Sequence, residues 1–343
     1  MKKRTLMTTL MVAALLCGGA VVPAVQAHAD TTTQASSSSS STTSTTHTIS
    51  KSYVVYGAGA PESAYSTLNS TMGVDSSFEK LTATASDYEK YIGNGTTTNA
   101  AMISSVAIAP SDPGSGVRVN IKKYDDESNI TQVKAQQYAM VAQMAGVTDV
   151  TIVVTANRAV SGESALTGVY KALAADGQNL DSQNTSAANQ VLDATQGAIN
   201  ENSGDSSYPG KLMAAVGNVS KQVAQDKQDG QTDDSAQIQA LLTKALENQG
   251  IASKTSSSAQ TTIVNALIAF RDSPISSSKT YVNNVTNTIN NVKNSTGDLM
   301  NKAKNWANSE AAKTAVKDAQ NWFQKLIAWI QNLFNWVFVK SCW

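Results

Sequence analysis

Thiol and imidazole groups are almost missing from this chain of 343 residues, whose cysteines are Cys17 and Cys342 and whose histidines are His28 and His47. Cys17 and His28 fall within the first 29 residues, so the body of the chain cannot close an internal disulfide. His47 stands in a Ser/Thr tract. The body therefore lacks the residues that Ser-His-Asp or Cys-His nucleophiles, His or Cys zinc sites and haem ligation require. Carboxylate pairs, a Ser-Lys dyad or an oxygen-ligand cation site are what is left. Charge is scarce too: 26 basic and 26 acidic residues make up 15% of the chain and cancel. Nucleic acid calls for a basic stripe and a pI above about 9, so no nucleic-acid partner is expected.

The N-terminus is explicit. Lys2, Lys3 and Arg4 precede an uncharged apolar run from Leu6 to about Val25, and Ala27-His28-Ala29 offers small residues for cleavage. Residues 1–29 are read as a secretory signal peptide, with the protein expected outside the cell, secreted or at its surface. Leu16 stands where a lipoprotein would carry a small residue before Cys17, which argues against lipidation. Loss of the leader leaves 23 basic against 26 acidic residues, a net charge of about −3. Residues 30–48 are almost wholly Ser and Thr, cannot bury a core, and are expected to be a disordered spacer.

Strand and helix signals alternate from residue 49 to about 203, where a small two-layer α/β domain is expected within an α+β chain. Tyr53–Tyr56 reads as a strand, and Glu62–Met72 and Ser86–Ile92 as helical or turn segments. Ile103–Ala109 and Val117–Ile121 read as two strands, and Pro110–Gly116 between them predicts a hairpin. Thr131–Ala145 has helical spacing and ends at Gly146, and Asp149–Thr155 is a β-branched strand. A further helix is expected from near Ser161, with the Ser161 hydroxyl as cap, Glu163 in the first turn, and Leu166, Val169, Tyr170 and Leu173 buried.

The block Ser161-Gly-Glu-Ser-Ala-Leu-Thr-Gly-Val-Tyr-Lys171 resembles the signature of the DUF1002 family, secreted proteins of Gram-positive bacteria of unknown function. Ile103-Ser-Ser-Val106, Gly114-Ser-Gly116, Asn129-Ile-Thr131 and Ala145-Gly-Val-Thr-Asp-Val150 support the likeness, which covers about residues 53–203. Thr98-Asn-Ala-Ala-Met102 departs from the Gly-Thr-Arg-like lead of that family. The resemblance implies export and a shared fold, and supplies no activity and no cofactor. Ser161 and Ser164, at a helix N-terminus, have the makings of an anion pocket. Glu163 already satisfies the positive end of that helix, so capping plus close packing through Gly162 and Gly168 is the favoured account. Lys171 lies about 10 Å along the helix from Ser164, too far for a Ser-Lys dyad. Asp125, Asp126 and Glu127, with Asn129, are the one candidate for a hard cation, and lack the spaced ligands of an EF-hand loop. A solvated turn explains them better.

Beyond about residue 180 strand signals vanish. Helices are expected over Thr185–Asn200, before the end of the α/β domain, and over Pro209–Lys227, Asp233–Asn248 and Ser257–Arg271 within residues 204–308, read as a helical region. Val282, Val285, Ile289, Val292, Thr296, Leu299, Ala303 and Trp306 then alternate steps of three and four, the seam of one long helix. Its outer face, with Asn at 283, 284, 287, 290, 291 and 294, is uncharged, which favours packing within the chain over an oligomerising zipper.

Residues 309–343 hold four of the five tryptophans, spaced by seven: Trp322, Trp329, Trp336 and Trp343. Beside them Phe323, Leu326, Ile330 and Leu333 share one face of a helix. An aromatic, amphipathic helix of this kind matches a membrane-interface segment, and is too polar for a confident span. A protein partner, or docking on the chain's own helices, would hide the same face. The expectation is an exported, non-enzymatic protein that associates with a membrane surface, cell-envelope component or partner through Trp322, Phe323, Leu326, Trp329, Ile330, Leu333 and Trp336. The competing reading is an extracellular hydrolase acting on cell wall or other polymer through carboxylates such as Glu163, Asp125 or Asp126.

Overall fold

The structure, a computed structural model, describes residues 46–93, 95–293, 299–307 and 309. The expected signal peptide, nearly all of the Ser/Thr tract and the Trp-rich residues 310–343 lie outside the described residues. The elements are β1 (Tyr53–Gly57), α1 (Tyr65–Met72), β2 (Glu79–Ala83), α2 (Ala85–Tyr91), β3 (Ser105–Pro110), β4 (Val117–Ile121), α3 (Ala135–Met144), β5 (Val150–Thr155) and α4 (Glu163–Ala175). Among the described residues only helices follow: α5 (Ser182–Glu201), α6 (Tyr208–Gln228), α7 (Ser235–Asn248), α8 (Ser257–Asp272), α9 (Lys279–Lys293) and α10 (Leu299–Ala307). The chain is thus α+β, a mixed sheet with short helices followed by an all-helical stretch.

The strands form one sheet in the order β2-β1-β3-β5-β4. β1 and β2 run parallel, as do β4 and β5, and β3 is antiparallel to both of its neighbours. The hairpin expected of β3 and β4 does not form, because β5 lies between them. Asp149, at φ 54°, is the physical reason. Its carbonyl accepts from Ser111 N–H at 2.8 Å and its Oδ1 from Gly116 N–H at 2.9 Å, so the loop from 110 to 116 wraps around the start of β5. β3 and β5 are buried along their whole length, as strands covered on both faces should be. β2, absent from the sequence reading, carries Glu79, Lys80 and Thr82 exposed on an edge. An edge strand without apolar alternation gives no period-2 signal.

On one face Tyr53, Val55, Val106, Ile108, Val117, Val119, Ile152 and Val154 meet α3 and α4, and the same core continues without a break into α5–α9. On the other face Val54, Tyr56, Ala107, Ala109 and Val153 meet Leu68 and Met72 of α1 and Met300 and Ala303 of α10. The predicted continuous seam is therefore divided. Tyr281, Val285, Ile289 and Val292 bury α9 against the large core, while α10 crosses the opposite face of the sheet. One straight helix cannot serve two sides of one sheet, and α9 ends at Lys293 while α10 starts at Leu299.

The asparagines of α9 are not an idle outer face. Asn291 donates to the Ser115 and Val117 carbonyls at 2.9 and 3.1 Å, Asn287 donates to the Gly114 carbonyl, and the Val117 N–H donates to Thr288 Oγ1 at 2.9 Å. Edge groups of β4 that no strand pairs are thus satisfied by a helix.

Candidate functional site

The signature block opens α4, and side chains from four other segments gather around it. Gly162 is the helix cap at φ 112°, in the region that favours glycine. Its carbonyl accepts from Tyr138 OH of α3 at 2.5 Å and from Ser104 Oγ at 3.1 Å. A Cβ at position 162 would stand 2.5 Å from that tyrosine oxygen.

The cap expected of the Ser161 hydroxyl comes instead from outside the helix. Ser161 offers its carbonyl to the Gln132 and Val133 N–H groups, while Ser104, from the lead into β3, accepts from Ala165 N–H at 2.9 Å. The Ser104 and Ser164 hydroxyls are 2.5 Å apart, and Ser164 also donates to the Ser104 carbonyl at 3.2 Å. Both serines are buried. A protein hydroxyl thus sits at the helix start where an anion's oxygen would bind.

The rest of the block ties α4 to α2. Tyr88 OH donates to Glu163 Oε2 at 2.5 Å, and Lys171 Nζ lies 2.6 Å from Asp87 Oδ2. The same Asp87 oxygen accepts from Thr84 N–H at 2.8 Å and Thr84 Oγ1 at 2.7 Å, closing a capping box at the start of α2. Burial pushes the Asp87 carboxyl up, but the hydrogen bonds from Lys171 and Thr84 outweigh it and hold the group below its ordinary value. Burial, and after it the charge of Glu163, push the Tyr138 phenol well up, so this hydroxyl acts as a donor. At Gly168 the helix backs onto the sheet: a Cβ there would stand 2.7 Å from Val106 Cγ1 and 3.2 Å from Val55 Cβ. Each of these polar groups is bonded to another element, so the block is a joint between α2, α3, α4 and the lead into β3. Lys171 reaches Asp87 and not Ser164.

The remaining candidates lie elsewhere. Asp125 and Asp126, at φ 48° and 65°, form the exposed tip of a tight turn closed by Tyr124 and Glu127, the geometry of a two-residue hairpin. They follow the β4 edge, whereas Glu163 faces α2, beside the β2 edge. Among the described residues no group of three His, Cys, Asp or Glu side chains is placed to hold a metal ion. His47, grouped by composition with the Ser/Thr tract, belongs to the folded body. Its N–H donates to the Gly146 carbonyl at 2.6 Å, its carbonyl accepts from Thr148 N–H, and its ring Nδ1 lies 3.2 Å from Gln178 Oε1. Ser50 and Tyr53 bond Asp176 directly, so the histidine bridges no serine to a carboxylate. The tail residues Trp322, Phe323, Leu326, Trp329, Ile330, Leu333 and Trp336 lie outside the described residues. No helix among the described residues is long and apolar enough to cross a membrane.

Sequence reasoning missed Ser104, Tyr88, Asp87 and Tyr138 as partners of the block. Their contacts span 24 to 84 residues, beyond any local pattern, and the paired serines of Ile103-Ser-Ser-Val106 were the one available sign.

With the joint described, its family can be stated. The family model DUF1002, a protein family of unknown function, matches residues 56–289, and the chain belongs to it. The match runs past the signature block through α5–α8 and into α9. Comparisons with curated proteins and with solved structures find no match.

Proposed function

We propose that this DUF1002 protein is exported, is not an enzyme, and associates with a membrane surface through the face bearing Trp322, Phe323, Leu326, Trp329, Ile330, Leu333 and Trp336. The observation that carries the reading is the seven-residue spacing of tryptophans beside a second apolar row, at the end of a chain that opens with a basic and apolar leader. The signature block supports the non-enzymatic part, because its Ser164 hydroxyl, Glu163 carboxylate and Lys171 ammonium group are engaged in holding elements together. Burying several such tail side chains at about 1.5 to 3 kcal/mol each sustains binding after ordering costs, whereas Lys325 and Lys340, the lysines that follow Asp318, add little beyond orientation.

Aromatic content should therefore matter more than charge. The full chain should co-sediment with phosphatidylcholine/phosphatidylglycerol vesicles, and W329A with W336A should release it, while raised salt should not. A full chain that ignores vesicles, with tryptophan emission already blue-shifted and protected from quenchers, would place the tail against its own helices and end the proposal.

A further inference from the structure

Asp233 stands in the turn between α6 and α7 and is only 7% exposed. Its Oδ2 has no hydrogen-bond partner. The cations nearby are turned elsewhere. Arg271 of α8 gives Nε and Nη2 to the two carboxylate oxygens of Asp272, at 2.8 and 3.0 Å, and Nη1 to the Asp233 main-chain carbonyl at 2.7 Å. Lys227 of α6 donates to the Arg271 carbonyl at 2.6 Å and the Ser276 hydroxyl at 2.7 Å. What faces the Asp233 carboxyl is a second carboxyl, that of Asp226 on α6, which is held by Gln222 Nε2 at 2.8 Å. Asp234 follows and caps α7 with its own side chain. An ionised carboxylate with one oxygen buried and without a donor is costly, and a like charge beside it is worse; one proton shared between the two lowers both costs.

We infer that Asp226 and Asp233 form a proton-binding clasp: a proton between the carboxyls fastens the end of α6 to the start of α7, and its loss sets two like charges against each other there. Burial is the chief cause that raises the Asp233 carboxyl, the Asp226 charge and hydrogen bond come next, Arg271 opposes them, and Asp234 adds a little. A carboxyl raised in the folded state stabilises fully below its unfolded value of about 3.9 and loses that contribution as pH rises through the folded value. The effect thus runs opposite to that of Asp87, Asp205 and Asp272, which are held low and act below about pH 4. The helical half of the molecule tightens in mild acid.

The test is urea unfolding of the full chain from about pH 4 to pH 8, wild type against D233N and D226N, with and without millimolar calcium. Each unit by which the carboxyl is raised appears as a tenfold fall of the folding constant across that window. D233N should be flat there and at least as stable as wild type at pH 8. A D233N protein that is less stable at pH 8 by as much as at pH 4 would overturn the clasp. So would calcium stabilising the wild type but not D233N, since that assigns the pair to a cation. Carboxyl-carbon NMR titration of Asp233 in the wild type reads the same point without a variant: a midpoint at or below about 3.9 overturns the inference.

Discussion

Ser104 is a single hydroxyl with three partners, the Gly162 carbonyl, the Ser164 hydroxyl and the Ala165 N–H. Ser104→Ala removes the side-chain cap of α4, while the Gly162 carbonyl keeps Tyr138 OH, Ser164 keeps the Ser104 carbonyl and Ala165 N–H keeps the Gly162 carbonyl, so it should cost about 1–2 kcal/mol in urea unfolding. A loss below about 0.5 kcal/mol would mean that water replaces the hydroxyl. Gly168→Ala should cost about 1–3 kcal/mol, because the added methyl meets Val106 and Val55 of the sheet. The Lys171–Asp87 pair, with side chains 27% and 18% exposed, contributes roughly 1 kcal/mol after solvent screening. Because the Asp87 carboxyl is held low, that contribution is present above about pH 4 and fades as pH falls through the lowered value. The stability gap between wild type and Lys171→Met should close correspondingly in acid, and a gap independent of pH would show that packing of the lysine stem is what was lost. At this scale the sequence named the block and the need for glycine at 162 and 168. It mistook Ser161 for the cap, because a capping hydroxyl borrowed from 61 residues away leaves no local trace.

The elements were legible wherever one face of a helix or strand was apolar. Helices α5–α8 fall within a few residues of their expected spans, and α+β was read correctly, since strand signals bounded by turn residues stop before residue 180. What failed was pairing. A turn rich in Pro and Gly between two apolar strands satisfies the rule for a hairpin, yet Asp149 binds both ends of that turn and admits β5 between them. Likewise a seam with steps of three and four does not tell whether its two halves face the same surface. The α9 clasp on the β4 edge can be tested directly. Thr288→Val deprives the Val117 N–H and Gln143 Oε1 of their partner, at a cost of about 1–3 kcal/mol. Hydrogen exchange at the Val117 amide should quicken while that of Ile152 in β5 stays slow, and unchanged exchange at Val117 would refute the clasp.

Across the whole molecule, the large core draws on the sheet, on α3 and α4, and on every helix from α5 to α9. Gly217 of α6 backs onto Met140 of α3 and Ile289 of α9, at 2.5 and 2.7 Å from a notional Cβ, which joins early and late parts of the chain in one contact. The family match extends over the same span, residues 56–289. Residues 46–293 should therefore melt in one cooperative transition, with calorimetric and van't Hoff enthalpies in agreement. A fragment ending at residue 203 should lack a cooperative transition, since α3 loses the helices that bury it. Two well-separated transitions in the full chain would contradict this.

The way α10 is held has a mechanical meaning. This nine-residue helix grips the second face of the sheet through Met300 and Ala303, and Lys304 reaches the Gly73 carbonyl and Asp75, both at 3.1 Å. Tension applied at Ala307 reaches the contacts of α10 before those of α9. They load one after another, as in peeling, and α10 should come away at low force while the clasp of α9 on β4 and the large core stay intact. A pulling experiment would then record a small first step, and the helix would serve the domain as a shock absorber against whatever tugs on its C-terminal end.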